Sequence, residues 1–464
     1  MPPWLIDRRS LWFLAAIPII GIGVAFFALQ TDSSGDMHAA SSALPAPTDV
    51  PSPTPTVAPT PVRFAALLDG VWMTESEWNA RKDLRPVAVM IDNHEAAYPQ
   101  SGLDRADLVY EAFVEGGITR FMAVFWSQEA DYVEPVRSAR TPFVIWANEL
   151  GALYAHAGSA STDNEADAAG QIVDWGVADL NAFDAGPSSA FYRDDQRYAP
   201  HNLVMGTTAL RQAAAKMDLP PATPPASWLF KADGEGTAAA PAAGGIQVDF
   251  QSNLYASQLV QWKWDPVSHT YLRFQSGGPD LDGQTNQQLR FTNVVVMRVP
   301  WEVVDYSGHV LLDQIGTGPA TVFLDGKAIE ATWKKTDRTS RTRFYDSSSA
   351  EVAFNRGPIF IEVVGPDSGV LTTPTADSLP PMPFYVPPGS AAGPGGVDEE
   401  TPTPTQAPTA TPTAGATSRP SVTATASPSA TPRPSATATQ SPPAASATPA
   451  PTHALPSPSA SPGG

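Results

Sequence analysis

The 464-residue chain contains no cysteine and is poor in positive charge. Without cysteine it cannot form disulfides, thiolate zinc sites or iron–sulfur clusters, use a cysteine nucleophile, or carry a lipid on cysteine. It has 28 lysine and arginine residues against 47 aspartate and glutamate residues, a formal net charge of −19. This sign is wrong for a protein that binds nucleic acid by neutralising phosphates, so we expect no nucleic-acid partner. A P-loop, a dinucleotide fingerprint and an EF-hand loop are also missing from the sequence.

One long apolar run without charges occupies residues 11–29 (LWFLAAIPIIGIGVAFFAL). At about 1.5 Å per residue, a helix of this length approaches the roughly 30 Å hydrocarbon core of a bilayer. Arg8 and Arg9 precede the run, which predicts a signal anchor with residues 1–10 in the cytoplasm. The protein is then a single-pass membrane protein whose folded part is extracytoplasmic. A cleaved signal peptide is the alternative, although no small-residue cleavage site closes the run.

Segments rich in proline, serine, threonine and alanine flank the part of the chain with a globular composition. They span 31–62 and 386–464. Such low-complexity sequence cannot bury a core, and we predict an extended linker for the first segment and a disordered tail for the second. The bias of the tail also suits O-glycosylation.

The pattern between these segments predicts two domains of different class. Over 63–219, short apolar runs alternate with helical stretches, which indicates an α/β domain. The predicted strands include PVAVMI and the two runs on either side of Gly116-Gly117, and the predicted helices include TALRQAAAKM and a stretch that starts at Ser161. A stretch with many prolines and glycines at 220–245 predicts an inter-domain linker. Over 246–385, apolar runs such as NVVVMRV are separated by turn signals such as Asp325-Gly326, which indicates a predominantly antiparallel β (α+β) domain.

Long phrases in both predicted domains resemble the YerB-like family of lipoproteins, which is built from domains of unknown function 3048. The phrases are RPVAVMIDNHEAAYPQSGLDRADLVYEAFVEGGITRFMAVF, EPVRSAR, LYAHAGS and FYRDDQRYAPHNL in the first domain and TGPATVFLDGKAIEATWKKTDRTSRTRFYD in the second. The resemblance implies an extracytoplasmic, membrane-attached bacterial protein and supplies no reaction. Because this chain has no cysteine to acylate, its anchor would be the run at 11–29.

Histidines and an aspartate follow or begin predicted strands in the first domain. Asp92, Asn93 and His94 come after PVAVMI, His156 lies in LYAHAGS, and His201 precedes NLVM. In open α/β sheets ligands bind at the carboxyl ends of strands, so Asp92, His94 and His156 could converge on one catalytic site. Such a set could act as an acid/base pair or hold a divalent metal, although no H-x-x-x-H or H-E-x-x-H spacing supports a metal. The alternative is that each histidine only caps a loop or satisfies a buried carbonyl.

Glu111 and Glu115 are a second candidate for catalysis. They are four residues apart in the sequence and would share one side of a helix or of a strand. This spacing would allow a paired-carboxylate acid/base site, as in glycosidases. The spacing does not fix their separation in space.

Arginines in the first domain predict an anion site. A guanidinium binds phosphate or carboxylate through two parallel hydrogen bonds. Arg137, Ser138 and Arg140 directly precede a predicted helix capped by Thr141, whose N-terminal N–H groups would favour an anion. Structural ion pairs, for example with Glu115, are the alternative. The candidate ligand-binding residues are Asn93, Arg120, Arg137, Ser138, Arg140, Arg193, His201 and Asn202.

The most basic stretch of the chain lies in the second domain, from Trp333 to Arg343. Cross-strand pairs of aromatic and cationic side chains would explain it as sheet structure. A surface that faces an anionic wall polymer is the alternative.

These features favour an envelope protein that recognises an anionic, phosphorylated ligand such as a wall-glycan or lipid-linked precursor. A metal-assisted envelope hydrolase or phosphotransferase is one alternative, and a structural envelope scaffold is another. The sequence leaves open whether the protein is an enzyme.

Overall fold

The structure is a computed structural model that describes residues 62–237, 239–250 and 258–383. The predicted anchor at 11–29, nearly all of the linker at 31–62 and the tail at 386–464 lie outside these ranges. In the part of the chain that the structure describes, no helix is both long and apolar enough to cross a bilayer.

The α-helices of the described residues are short and all lie in the first predicted domain. They are α1 (Glu75–Arg81), α2 (Thr141–Glu149), α3 (Ala168–Asp174) and α4 (Thr207–Ala214). Two of them begin elsewhere than their sequence signals predict. The residue that caps α2 is Arg140 rather than Thr141, and α3 begins at Ala168 instead of near Ser161.

Strands make up most of the described structure. In chain order they are β1 (Phe64–Ala65), β2 (Trp72–Met73), β3 (Val87–Asp92), β4 (Leu108–Phe113), β5 (Thr119–Phe125), β6 (Leu153–His156), β7 (Ala178–Asn181), β8 (Phe191–Arg193), β9 (Leu203–Met205), β10 (Gly245–Asp249), β11 (Leu259–Asp265), β12 (Thr270–Gln275), β13 (Gly278–Pro279), β14 (Arg290–Phe291), β15 (Asn293–Arg298), β16 (Trp301–Val303), β17 (Val310–Leu312), β18 (Gly316–Leu324), β19 (Lys327–Lys335), β20 (Arg343–Asp346), β21 (Ile359–Val364) and β22 (Gly369–Thr373). The predicted layout, an α/β part followed by a β-rich part, is confirmed in this outline.

A ten-stranded mixed sheet joins the two predicted domains. Its strand order is β20-β19-β18-β15-β21-β4-β5-β3-β6-β7. The junction is a parallel pairing of β21 with β4, in which Ile359 lies opposite Leu108. Both strands are buried along their whole length. The two predicted domains therefore contribute to one continuous sheet, and the segment at 220–245 does not separate two independent sheets.

The sheet buries both of its faces, and the alternation along β3 shows how. Val89 and Ile91 pack into one core with Trp262 from a second, six-stranded sheet that contains β10 to β14 and β22. Met90 points to the opposite face and packs into a second core with Trp146 of α2. Successive side chains of a strand face opposite sides, so an almost continuous apolar run is needed when both sides are covered. This run ends at Asp92, where the chain leaves the sheet.

Candidate functional site

Asp92, the last residue of β3, is the centre of the candidate site. Its side chain is completely buried. The carboxylate oxygen Oδ2 lies 2.6 Å from His201 Nδ1 and 3.0 Å from Arg137 Nε. The other oxygen, Oδ1, accepts the backbone N–H of His94 at 3.2 Å. One buried carboxylate therefore fixes the positions of an imidazole and a guanidinium.

Asp92 remains ionised despite its burial. Burial alone would raise the pKa of this carboxyl group, because a charge is poorly solvated inside the protein. The hydrogen bond from His201 and the charges of Arg137 and Arg120 outweigh burial and hold the pKa of Asp92 below its ordinary value. The negative charge is thus available to orient His201 and Arg137.

The imidazole rings of His94 and His201 stack on each other, with ring centroids 4.9 Å apart and planes inclined by 22°. His201 Nδ1 donates to Asp92, because an ionised carboxylate can only accept. His94 Nδ1 accepts the backbone N–H of Ala96 at 3.1 Å, so this nitrogen carries no proton. Among the described residues, neither Nε2 atom has a hydrogen-bond partner. Both rings are therefore fixed at Nδ1 and free at Nε2.

Arg120 and Arg140 are occupied by a neighbouring carboxylate. Arg140 binds Glu115 bidentately, with Nε 2.7 Å from Oε2 and Nη2 in contact with Oε1. The buried Arg120 donates from Nη1 to the Ser138 carbonyl at 2.8 Å and lies 3.5 Å from Glu115 through Nη2. Burial opposes ionisation of Glu115, but the hydrogen bond of Arg140 and the charges of Arg120 and Arg140 lower the pKa of Glu115 to about 2. Burial and the nearby Arg140 charge lower the pKa of Arg120 to about 10.

Arg137 differs from these two arginines. Its Nε faces Asp92 at 3.0 Å, and its Nη1 and Nη2 groups make no hydrogen bond within the described part of the chain. The side chain is 25% exposed, whereas that of Arg120 is 2% exposed. Because the fork of a guanidinium matches phosphate and carboxylate, a free pair of Nη groups is a ready anion ligand.

A hairpin tip from the second predicted domain lies beside this cluster. Gly308 is between β16 and β17, and a Cβ at this position would be 3.7 Å from the Cβ of Glu115. In the same tip, Asp305 accepts from Asn164 Nδ2 at 3.2 Å and pairs with His309 at 2.7 Å. Tyr306 at the end of the tip is fully exposed. The cluster is thus bordered by loops from both halves of the chain.

Comparison with known proteins assigns the chain to a family. The family models described as "Protein of unknown function (DUF3048)" match residues 70–220 with the N-terminal domain and 246–361 with the C-terminal domain. "Putative lipoprotein YerB" of Bacillus subtilis (strain 168) is 32% identical over 254 residues, which cover 54% of this chain and 73% of that protein. The chain belongs to the YerB-like DUF3048 family. The crystal structure of the YerB protein from Bacillus subtilis matches with a TM-score of 0.57 and 28% identity, covering 67% of this chain and all of that chain.

The site at Asp92 is built mainly from the N-terminal DUF3048 segment. We name Asp92, His94, Arg137 and His201 the arginine–histidine site. The predicted convergence of Asp92 with His94 is found in this structure. His201 was expected only to contact a ligand, and its direct bond to Asp92 was not predicted. No local pattern specifies this bond, because His201 and Asp92 are 109 residues apart in the sequence.

His156 is not part of this arrangement. It is buried, with Nδ1 2.8 Å from the Gly158 carbonyl and Nε2 2.8 Å from Asp179 Oδ1. Both ring nitrogens are therefore used, as expected for a histidine that satisfies buried polar groups. In the described residues of this DUF3048 chain, no group of three or more histidine, aspartate or glutamate side chains could hold a metal ion.

Glu111 and Glu115 do not form a carboxylate pair. Glu111 is on β4 and faces the six-stranded sheet, where Arg273 Nη2 lies 2.7 Å from its Oε2. Glu115 lies beyond the end of β4 and binds Arg140. The strand ends between them and the chain turns at Gly116, so the regular alternation that would align the two side chains is interrupted.

The remaining predicted ligand residues make hydrogen bonds within the protein. Asn93 is buried and donates to Glu111 and Thr119 at 3.0 and 2.7 Å. Arg193 is exposed and donates to Asn202 at 2.6 Å, while Asn202 donates to the carbonyl of Asp194. These contacts organise the core below the site and the loop that carries His201.

Proposed function

We propose that this YerB-like protein binds a small anionic group of the phosphate type at the arginine–histidine site. The observation that carries the proposal is the double use of Asp92 Oδ2, which holds Arg137 Nε at 3.0 Å and His201 Nδ1 at 2.6 Å. This leaves Arg137 Nη1 and Nη2 and the Nε2–H of His94, whose Nδ1 is an acceptor, as donors for an anion. Side chains held in this way lose little conformational freedom on binding, which favours affinity.

The charge balance around the site also favours an anion. Arg120, Arg137 and Arg140 face the two carboxylates of Asp92 and Glu115, so one positive charge is left before either histidine is counted. The protein as a whole carries a net charge of −19. A locally positive site in an acidic protein concentrates small anions where the rest of the surface repels them.

The cellular setting that we propose is the outer side of the cell membrane. The matched Bacillus subtilis protein is described as a lipoprotein. This chain has no cysteine to carry a lipid but has the apolar run at 11–29, which is long enough for a membrane anchor. A protein on the outer side of the membrane would meet phosphorylated wall-glycan or lipid-linked precursors, which are the class of ligand that we propose.

The experiment is a calorimetric titration of the full-length protein in detergent micelles with pyrophosphate at low salt. We expect Arg137→Ala to weaken binding by at least about tenfold, because a charge-assisted hydrogen bond contributes roughly 1.5–3 kcal/mol. Arg105→Ala is the matched control, since Arg105 is exposed and its one hydrogen bond is to Gln128. Arg140 is left in place because its removal would release the carboxylate of Glu115. Equal affinities of Arg137→Ala and wild type, or no binding by wild type, would contradict the proposal.

The 2.6 Å contact between Asp92 and His201 supports a second candidate function, phosphoester hydrolysis. An aspartate that accepts from Nδ1 leaves Nε2 of a neutral imidazole as a base. In the proposed step Nε2 takes a proton from water, the water oxygen bonds to phosphorus, and the bond from phosphorus to the leaving alkoxide breaks. Arg137 would hold the non-bridging oxygens.

Hydrolysis of bis(p-nitrophenyl) phosphate tests this second candidate. His201→Gln is expected to lower the rate of p-nitrophenol release by about 100-fold or more, the usual contribution of a general base. His269→Gln, which changes an exposed histidine in the turn between β11 and β12, is expected to retain the rate. If wild type releases no p-nitrophenol yet binds pyrophosphate, the hydrolase is rejected and the binding function stands.

A further inference from the structure

A cavity of about 730 Å³ lies at the other end of α2, away from the arginine–histidine site. It is lined by the C-terminal residues of α2, the chain at 175–178 and 221–226, and the segment from Lys334 to Tyr345. The two family segments therefore both contribute to its wall. The nine residues of α2 separate its two ends by about 13 Å at 1.5 Å per residue. We name this cavity the α2 cavity.

The wall of the α2 cavity is positively charged. Arg85, Lys334, Arg341 and Arg343 line it, against the single carboxylate of Glu149 among its described lining residues. Glu149 is already neutralised, because Lys335 Nζ lies 2.6 Å and Arg341 Nη1 3.0 Å from its oxygens. Arg343 is likewise paired, with Glu351, so Arg85 and Lys334 are the lining cations that have no carboxylate partner among the described residues.

Two of these cations are not fully paired. Arg341 is only 7% exposed, and its Nε has no hydrogen-bond partner among the described residues. Lys334 is exposed and lies over the ring of Tyr345, with Nζ 4.7 Å from the ring centroid, and no carboxylate pairs with it in the described structure. Lys334 can therefore donate to a ligand in the cavity, while Arg341, whose unpaired Nε is itself buried, contributes its positive charge to the wall.

The rest of the wall combines ring faces with hydroxyl groups. Trp175 and Tyr345 supply aromatic surface, with Arg338 over one face of the Trp175 ring at 4.7 Å. Thr336, Thr339 and Ser340 supply hydroxyls; those of Thr339 and Ser340 donate to Asp337 and so offer a ligand their acceptor lone pairs. Aromatic rings pack against the apolar faces of sugar rings, while hydroxyl groups exchange hydrogen bonds with sugar hydroxyls. A volume of about 730 Å³ is within the range of small-molecule binding sites.

From these observations we infer that the α2 cavity binds an acidic saccharide, a polyhydroxylated ring that carries a carboxylate or phosphate group. The anionic group lies against Lys334 and Arg341, and the ring lies against Trp175 and Tyr345. This inference does not depend on the arginine–histidine site, which uses different residues at the opposite end of α2.

The experiment is a calorimetric titration of full-length protein carrying Arg137→Ala, so that the arginine–histidine site does not contribute. The probes are glucuronate, glucose 1-phosphate and uncharged glucose. We expect both acidic sugars, or one of them, to bind more tightly than glucose, and the stronger probe identifies the preferred anionic group. Binding of none of the three, or equal binding of all three, would overturn the inference.

Two variants in the same background locate the binding. Lys334→Gln is expected to weaken binding of the acidic sugar by about tenfold, the effect of losing one charge-assisted contact. Its matched control is Lys216→Gln, since Lys216 is also exposed and does not line the cavity. Trp175→Ala is also expected to weaken binding of the acidic sugar. Trp72→Ala changes a partly exposed tryptophan outside the cavity and is expected to leave the affinity unchanged. Equal losses in a variant and its control would place the sugar elsewhere and reject the inference.

Discussion

Asp92 and Glu111 are both completely buried carboxylates on strands of the same sheet, yet they do different things. The partners of Asp92 reach the surface, because the side chains of Arg137 and His201 are 25% and 18% exposed. The partner of Glu111 is Arg273, whose side chain is 0% exposed and which also pairs with Asp280. The comparison teaches that burial of a carboxylate does not mark a site. What marks a site is the exposure of the groups that the carboxylate holds.

The surroundings of Glu111 show a core that is closed to ligands. Thr119 Oγ1 and Asn93 Nδ2 donate to its Oε1 at 2.6 and 3.0 Å, and both residues are buried. In the neighbouring strand Glu362 lies opposite Glu111 and accepts from Trp262 Nε1 at 2.7 Å. Burial and the charge of Glu111 raise the pKa of Glu362 well above its usual range. This cluster ties the two sheets together.

The largest expected difference between the two regions is in stability. Arg273→Met would leave Glu111 and Asp280 buried without their cation, and we expect the free energy of unfolding to fall by about 3–5 kcal/mol. Arg137→Met should cost only about 1–2 kcal/mol, because His201 and the His94 N–H still hold Asp92. Urea unfolding followed by circular dichroism measures both. Similar losses for the two variants would show that Arg137 is as structural as Arg273.

A smaller effect is expected in the free energy of unfolding at acidic pH. The pKa of Glu115 is lowered to about 2 in the folded protein, against an ordinary value of 4.5. A lowered pKa stabilises the fold above the unfolded value, so this contribution is full above about pH 5 and is lost as pH falls from there towards 2. We expect it to amount to roughly 2–3 kcal/mol after allowance for partial exposure.

The measurement is urea unfolding between pH 3 and 7 for Glu115→Gln. Its stability should change less with pH than that of wild type, whereas Glu302→Gln, at an exposed position, should follow wild type. If the free energy of unfolding of Glu115→Gln changed with pH as steeply as that of wild type, the Glu115–Arg140 pair would not stabilise the fold.

Local sequence patterns predicted much of the first half of the molecule. The apolar run before Asp92 predicted β3, and the two runs on either side of Gly116-Gly117 predicted β4 and β5. The N-cap of α2 is Arg140, one residue before the Thr141 that the sequence predicts. The capping residue depends on the local backbone geometry, which the residue types do not specify to within one position. The helix expected from Ser161 was shortened because its first residues form the turn that reaches the hairpin tip through Asn164 and Asp305.

Long-range pairing could not be predicted in this way. Leu108 and Ile359 are neighbours in the sheet, but nothing in the period of either strand specifies its partner. The basic stretch from Trp333 to Arg343 likewise divides into buried and exposed members. Lys335 turns inward to Glu149 and Lys334 stays at the surface, since successive residues of β19 face opposite sides. Arg341, in the loop before β20, also reaches Glu149.

The sequence by itself determined the acidic charge, the lack of thiol chemistry, the apolar run at 11–29 and the existence of most strands. These follow from composition and from periodicities that act over a few residues. The tertiary structure decided which of the charged residues have unsatisfied ends. Arg120, Arg137 and Arg140 look equivalent in the sequence, but two of them are occupied by Glu115 and one is left open. That distinction depends on how strands and loops distant in sequence meet, because Arg137 meets Asp92 only through its Nε and keeps its Nη groups for a ligand.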